Sequence, residues 1–291
     1  MHRLFTKKIP NLIYDVGMHK GEDTDYYLKK GFKVIGFEAD PDLVQYCHKK
    51  FRREIDDGTL IIVEGAIVAN NSVNNDEKVK FFRNKDKSVW GTVDSGWAKR
   101  NELKGTRNEL LEIAAVDFRR CLIEYGIPHY LKIDIEGNDI ICINALNGFN
   151  QKPDFLSMES EKLSFDKLKE EIRILNSLGY VKFQTVNQAA VPNHKEPEDS
   201  NEGNYVGQEF QLDSSGLFGY DLPDKWVPKK RILSKYLRIF CGYRFFGDKG
   251  WMRGSPFRML LGIINRFSGE PFPGWYDTHA MHSSVININR K

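Results

Sequence analysis

The chain has 291 residues, 41% of them apolar and 29% charged, with a net charge of +3. This is enough to bury a full core, as one large domain or one domain with a sizeable extension, and it excludes a peptide-sized module. The charge is too small to name a partner, and no apolar run approaches the roughly 18 residues of a membrane span.

The basic start, Met1 to Pro10, lacks the apolar h-region of a signal peptide, so a cytoplasmic protein is expected. Cys47, Cys121, Cys142 and Cys241 are scattered without a C-x-x-C pair, which predicts reduced thiols, no disulfide framework and no zinc site.

The first readable element is the apolar run Leu12-Ile13-Tyr14. It leads into Asp15-Val-Gly17-Met-His19-Lys-Gly21-Glu-Asp-Thr24, which reads as strand, glycine turn and helix. Acids at Glu22, Asp23 and Asp25, lysines at 29 and 30 and Gly31 as a stop predict a helix over 22–30. A second run, Val34 to Phe37, ends in Glu38, about the twenty-residue offset at which a carboxylate meets a ribose in a dinucleotide-type βαβ unit. A pyrophosphate site needs G-x-G-x-x-G, but here Met18 and His19 follow Gly17. Asp15 would also repel a pyrophosphate while tolerating a sulfonium. S-adenosyl-L-methionine, with ribose and adenine but no phosphate, fits this pattern better than a nicotinamide or flavin. An ordinary strand-to-helix turn without a ligand is the competing reading.

Pro41 opens a second helix carrying Leu43, Val44, Cys47 and Phe51 inward, and Leu60 to Val63 is a third strand. It ends at Glu64-Gly65-Ala66, where a doubly wound sheet places adenine contacts, so Ala66 joins the candidate donor set. Residues 69–112 are hard to read: Asn70 to Asn75 mark a turn, and Val79 to Phe82 a short strand. Ser88 to Trp97 reads equally as a loop over a pocket or as a plain surface hairpin. Val116 to Tyr125 has helical periodicity with Gly126 as its stop, and His129 to Ile133 reads as a buried parallel strand. That strand ends in Asp134-Ile-Glu136-Gly137-Asn-Asp139. Because α/β sheets bind ligands outside the carboxyl ends of their strands, these acids should face the crevice of Asp15 and Glu38. A helix at 140–146, a strand at 155–159, a helix at 165–178 and a strand at 181–186 complete an alternation that predicts a doubly wound, mostly parallel sheet. The polar, acidic stretch 192–204 reads as a mobile loop or linker. This gives a methyltransferase-like domain over 1–190 and a C-terminal acceptor-binding or lid extension over 191–291.

The motifs together resemble the FkbM family of S-adenosylmethionine-dependent methyltransferases. D-V-G-A-N-x-G-x-x-T is matched by Asp15, Val16, Gly17, Gly21 and Thr24; F-E-P-x-P by Phe37, Glu38 and Pro41; and K-I-D-V-E-G by Lys132, Ile133, Asp134, Glu136 and Gly137. The likeness spans roughly residues 10–187 and departs from the pattern at Met18, His19 and Ala39. It implies a class I (Rossmann-like) α/β fold, a donor set of Asp15, Gly17, Gly21, Thr24 and Glu38, and O-methylation of a sugar or polyketide-like hydroxyl. It does not carry over the acceptor residues. His19 joins the donor candidates because it would line the loop.

Displacement at a sulfonium is dominated by positioning, and a base beside the hydroxyl adds about a hundred- to ten-thousand-fold. Asp134 and Glu136 stand where such a base belongs, although both also read as N-terminal acids of the following helix. His279, in Trp275-Tyr-Asp-Thr-His-Ala-Met-His282, is the other candidate base or acceptor contact; the bland alternative is a solvent-facing tail. The Asp277, His279 and His282 spacing is too weak to predict a metal.

Eleven Lys or Arg face one acid between Lys225 and Arg266, interleaved with aromatics. Amphipathic helices are expected at 230–240 and 256–267. They suit a lid on an anionic or lipid-linked glycan, an interfacial helix on anionic membrane, or simple packing on the core; no motif supports specific nucleic-acid binding. The sequence therefore reads as an O-methyltransferase acting on a carbohydrate or glycoconjugate. A small polyketide- or lipid-like acceptor, or a noncatalytic protein retaining the donor fold, is the alternative. Oligomeric state is not encoded legibly.

Overall fold

A computed structural model describes residues 4–69, 78–135, 137–246 and 274–288. It divides into two units, Met1–Leu156 and Ser157–Lys291. In the first, β1 (Lys8–Val16), β2 (Lys33–Glu38), β3 (Leu60–Glu64) and β7 (Ile127–Ile133) run parallel in the order β7-β1-β2-β3. Apolar residues are continuous along β1 and β7 because both faces are covered: Leu12, Ile13, Tyr14 and Val16 are buried, as are Tyr130, Leu131 and Ile133.

Parallel neighbours require crossovers, supplied here by α1 (Glu22–Lys29), then α2 (Pro41–Lys50) with α3 (Arg52–Asp56). The charge pattern of α1 sets its ends as expected. Asp40 caps α2 by accepting the Asp42 N–H, ahead of Pro41 in the first turn.

A smaller sheet is ordered β4 (Ala66–Ile67), β6 (Asn108–Val116), β5 (Lys78–Asn84), with α4 (Ser95–Leu103) between β5 and β6. The unreadable stretch therefore holds a nine-residue strand, β6, paired antiparallel with the whole of β5. The helix expected from Val116 starts instead as α5 (Phe118–Tyr125), because Asp117 accepts the Arg119 and Arg120 N–H groups as its cap. α6 (Asp139–Ala145) follows β7, and β8 (Phe155–Glu159) runs across the division.

The second unit contains α7 (Phe165–Ser177), β9 (Tyr180–Asn187), β10 (Val227–Pro228), α8 (Lys229–Phe246), β11 (Tyr276–His282) and α9 (Ser283–Ile288). β11 pairs antiparallel along the length of β9, from Tyr276 opposite Asn187 to His282 opposite Tyr180. Residues 276–282 are thus a largely buried strand and not a solvent-facing tail. The boundary expected near 190 falls inside this unit, because β11, which begins at Tyr276, completes the pairing of β9, which ends at Asn187. Thr278 is accommodated by a buried hydroxyl cluster with Ser160 and Tyr236, at 2.9 and 2.5 Å.

Nor is 192–204 a free linker. Glu196 accepts the Val206 and Gln208 N–H groups at 3.1 and 3.2 Å, Glu202 accepts Tyr220 N–H at 2.7 Å, and Asp221 accepts Asn201 N–H at 2.7 Å. Its acidity serves internal backbone donors. α8 buries Ile232 and Tyr236 of the apolar face expected of 230–240 (Ile232, Leu233, Tyr236, Leu237 and Phe240), together with Ile239, while Leu237 is exposed. The helix expected at 256–267 and the turn at 70–75 lie outside the described residues.

Candidate active site

At the carboxyl end of β1 the chain turns sharply away from β7. Gly17 sits at φ 84, and a Cβ there would stand 1.9 Å from the Asp134 carbonyl oxygen, so only glycine lets the two strand ends lie side by side. Gly21, at φ 71, precedes α1 with Phe51 packed where its Cβ would be. Both Gly17 and Met18 donate their N–H groups to the Phe37 carbonyl at 3.0 Å, tying the turn to β2. Met18, where the family pattern has Ala, is buried against Gly36, whose missing Cβ leaves room for its sulfur.

The turn is held from within by buried charge. Asp15 is 0% exposed; Lys132 Nζ donates to its Oδ1 at 3.0 Å and Thr24 Oγ1 to its Oδ2 at 2.6 Å. Lys132 also donates to the Gly17 carbonyl at 3.0 Å and lies 3.4 Å from Asp23. Burial opposes the charge on Lys132, but Asp15, Asp23 and Asp134 outweigh it and hold its pKa well above the usual lysine range. Asp15 and Thr24 thus support the loop from behind, and neither they nor Gly21 lines the cleft.

Glu38 has a different setting. Its Oε2 accepts His19 N–H at 2.8 Å, and its Oε1 accepts the Ala39 and Asp40 N–H groups at 2.9 Å. Burial nonetheless outweighs these donors and pushes its pKa up to about 7. His19 adopts φ 52, the left-handed region in which Asn, Asp and His are enriched, so it can stand where the family pattern has Asn. Its ring bridges Glu22 at 3.3 Å and Ser88 Oγ at 2.8 Å.

These residues open on a cleft of about 730 Å³ of non-protein space, mouth included. Gly17, His19, Glu38, Ala66 and Asp134 line it, bringing together five of the residues singled out in the sequence. Phe37, Leu43, Ile67, Phe81 and Val93 give it apolar walls. Ser88, Val89, Thr92 and Asn138 also line it without having been singled out individually. The 88–97 segment is therefore a loop over a pocket, as one of its two readings had it. Lys132 was visible as a lone cation in an apolar strand but carried no assigned role. Glu136 lies outside the described residues.

His279 is buried in β11 at 1% exposure. Burial, aided by His194, lowers its pKa to about 3, so it is neutral at ordinary pH. Among the described residues no cluster of three His, Cys, Asp or Glu could hold a metal ion.

An α/β unit with a glycine turn, an acid closing the next strand and an apolar-walled cleft without a phosphate cradle defines an S-adenosylmethionine-dependent methyltransferase. The chain belongs to the FkbM methyltransferase family: the methyltransferase FkbM domain matches residues 15–182, and S-adenosylmethionine is its methyl donor. Among solved structures it is similar to methyltransferase FkbM from Methylobacillus flagellatus KT, at 16% identity over 62% of this chain and 41% of that one, with a TM-score of 0.38. It is also similar to precorrin-6y C5,15-methyltransferase from Geobacter metallireducens GS-15, at 10% identity over 62% and 71% of the two chains and a TM-score of 0.32. A third is a SAM-dependent methyltransferase from Geobacter sulfurreducens in complex with S-adenosyl-L-homocysteine, at 9% identity over 95% and 86%, with a TM-score of 0.33. No curated protein matches the chain.

Proposed function

We propose that the protein methylates a hydroxyl of a carbohydrate or glycoconjugate. The observation that carries the chemistry is Asp134, an exposed carboxylate at the end of β7 that lines the same cleft as Gly17 and Glu38. The donor fits this cleft: Glu38 would hold its ribose hydroxyls, Ala66, Ile67 and Phe81 its adenine, and Gly17 would lend backbone to the wall beside it. When bound, the donor supplies a methyl group activated by a sulfonium. Asp134 then accepts the proton of the acceptor hydroxyl, and Glu136 is the second candidate for that role. His279, neutral and buried in β11, is retained as an acceptor contact and not as the base; His279→Ala should then weaken acceptor binding, and wild-type turnover in that variant removes the role.

The apolar walls favour a second reading, a polyketide- or lipid-like acceptor. The exposed basic residues of α8, Lys230, Arg231, Lys235 and Arg238, support peripheral contact with anionic membrane or a lipid-linked glycan. No described helix is long and apolar enough to cross a membrane. The free cysteines support a reducing, cytoplasmic setting. Methyl transfer from labelled S-adenosylmethionine to a panel of cell-surface sugars and lipid-linked glycans, with product sites mapped by NMR, tests the proposal. Methylated sugar hydroxyls are expected, and Asp134→Asn should reduce turnover at least a hundredfold. Transfer confined to lipid-like acceptors, or full activity in Asp134→Asn, overturns it.

A further inference from the structure

The rim of the cleft carries charge that the donor does not need. Between Lys85 and Arg107 there are six Lys or Arg and three acids. All three acids are engaged. Asp86 pairs with Arg107 at 2.9 Å, Asp94 caps α4 by accepting Trp97 N–H at 2.8 Å, and Glu102 accepts from Asn108 at 3.3 Å.

Three of the cations lie over indoles, Lys104 at 5.2 Å from the Trp90 ring and two others more closely. Arg100 lies 3.8 Å over the Trp97 ring and Lys87 4.0 Å over the Trp90 ring. Among the described residues neither has a carboxylate partner. A cation over an aromatic face is held in place without being neutralised, so it stays available to an incoming anion.

Both stacks adjoin the cleft. Trp90 lies between Val89 and Gly91, which line it, and Trp97 packs against Gly137, beside the lining residue Asn138. Two buried donors in this corner have no partner, Arg100 Nε and Asn138 Nδ2. The orphan acceptor nearby, Asn101 Oδ1, belongs to a residue with 1% exposure, whereas Arg100 and Asn138 are part-exposed residues and Asn138 lines the cleft. Unused donors beside unneutralised cations call for an oxyanion. The stacked cations also cover indole faces on which a neutral sugar ring would otherwise lie.

We propose that the Arg100 and Lys87 rim, with Asn138, is an anion subsite, and that the glycan acceptor carries a carboxylate or phosphate near the hydroxyl that is methylated. This rests on the carbohydrate reading above and narrows it to acidic glycans, with Arg100 and Lys87 setting specificity.

The test uses the full chain saturated with S-adenosylhomocysteine. Tetragalacturonate, a phosphorylated pentamannose and neutral maltotetraose are titrated into it, read by tryptophan fluorescence at low and high salt. At least one anionic probe should bind about tenfold tighter than maltotetraose, with the advantage shrinking in salt. The two charged arms tell carboxylate from phosphate. Arg100→Gln should remove about tenfold of that affinity, Arg100→Lys should keep most of it, and the exposed Lys87→Gln should lose about threefold. Affinity for S-adenosylhomocysteine should not change in any variant.

Equal affinity for charged and neutral probes, including binding of neither, overturns the subsite. So does an Arg100→Gln protein indistinguishable from wild type. Failure of the wild type to bind S-adenosylhomocysteine would instead count against the donor site itself.

Discussion

Glu38 accepts three backbone N–H groups and yet, because burial dominates, ionises only near pH 7. An ordinary glutamate ionises near about 4.3, so between those values the folded protein holds a proton there that the unfolded chain has released. Ribose hydroxyls donate to a carboxylate and favour its ionised form. Donor affinity is therefore predicted to rise with pH up to about 7 and level off above, and titration with S-adenosylhomocysteine across that range checks it. Glu38→Gln should flatten the profile; an affinity that falls as pH rises would contradict this account. At this scale much was legible. The strand-end position of Glu38 and the glycines marked the donor turn, because both follow from backbone geometry. The burial of Asp15 was not legible, since its pairing with Lys132 joins residues 117 apart. His19 departs from the family pattern in name only, because its φ of 52 is a conformation that Asn and His share.

Among the elements, β7 does most to couple the sheet to the site, since Lys132 reaches from it to Asp15, Asp23 and the Gly17 carbonyl. Lys132→Met would leave two buried carboxylates without their cation. A loss of about 3 to 5 kcal/mol is expected, measured by urea unfolding, and Asp15→Asn in the same chain should recover part of it. In β11, His279 stays neutral in the fold down to about pH 3, well below the ordinary 6.5. Stability owed to this is fully present above about pH 6.5 and is lost as pH falls below it, by up to about 1.4 kcal/mol per unit. Comparing wild type with His279→Gln by urea unfolding from pH 7 to pH 5 should show a shallower slope in the variant. The parallel strands were legible because doubly buried strands are continuous apolar runs. β11 was not: Thr278 is satisfied by Ser160 and Tyr236, and the strand pairs with β9, all distant in sequence.

Across the molecule, acids gather inside the cleft at Glu38 and Asp134, while Arg100 and Lys87, without carboxylate partners among the described residues, lie on its rim. The first arrangement suits a sulfonium-bearing donor and a base, the second an acidic acceptor. Composition could not reveal this division, because a net charge of +3 averages over both. The central claim is that the cleft between Gly17, Glu38 and Ala66 holds S-adenosylmethionine through the Glu38 carboxylate. Its most direct test is calorimetric titration of S-adenosylhomocysteine into wild type and Glu38→Gln at pH 8. One-site binding by the wild type, weakened about tenfold or more in the variant, is the predicted result. No binding by the wild type, binding of NAD in its place, or equal affinity in the variant would contradict the account.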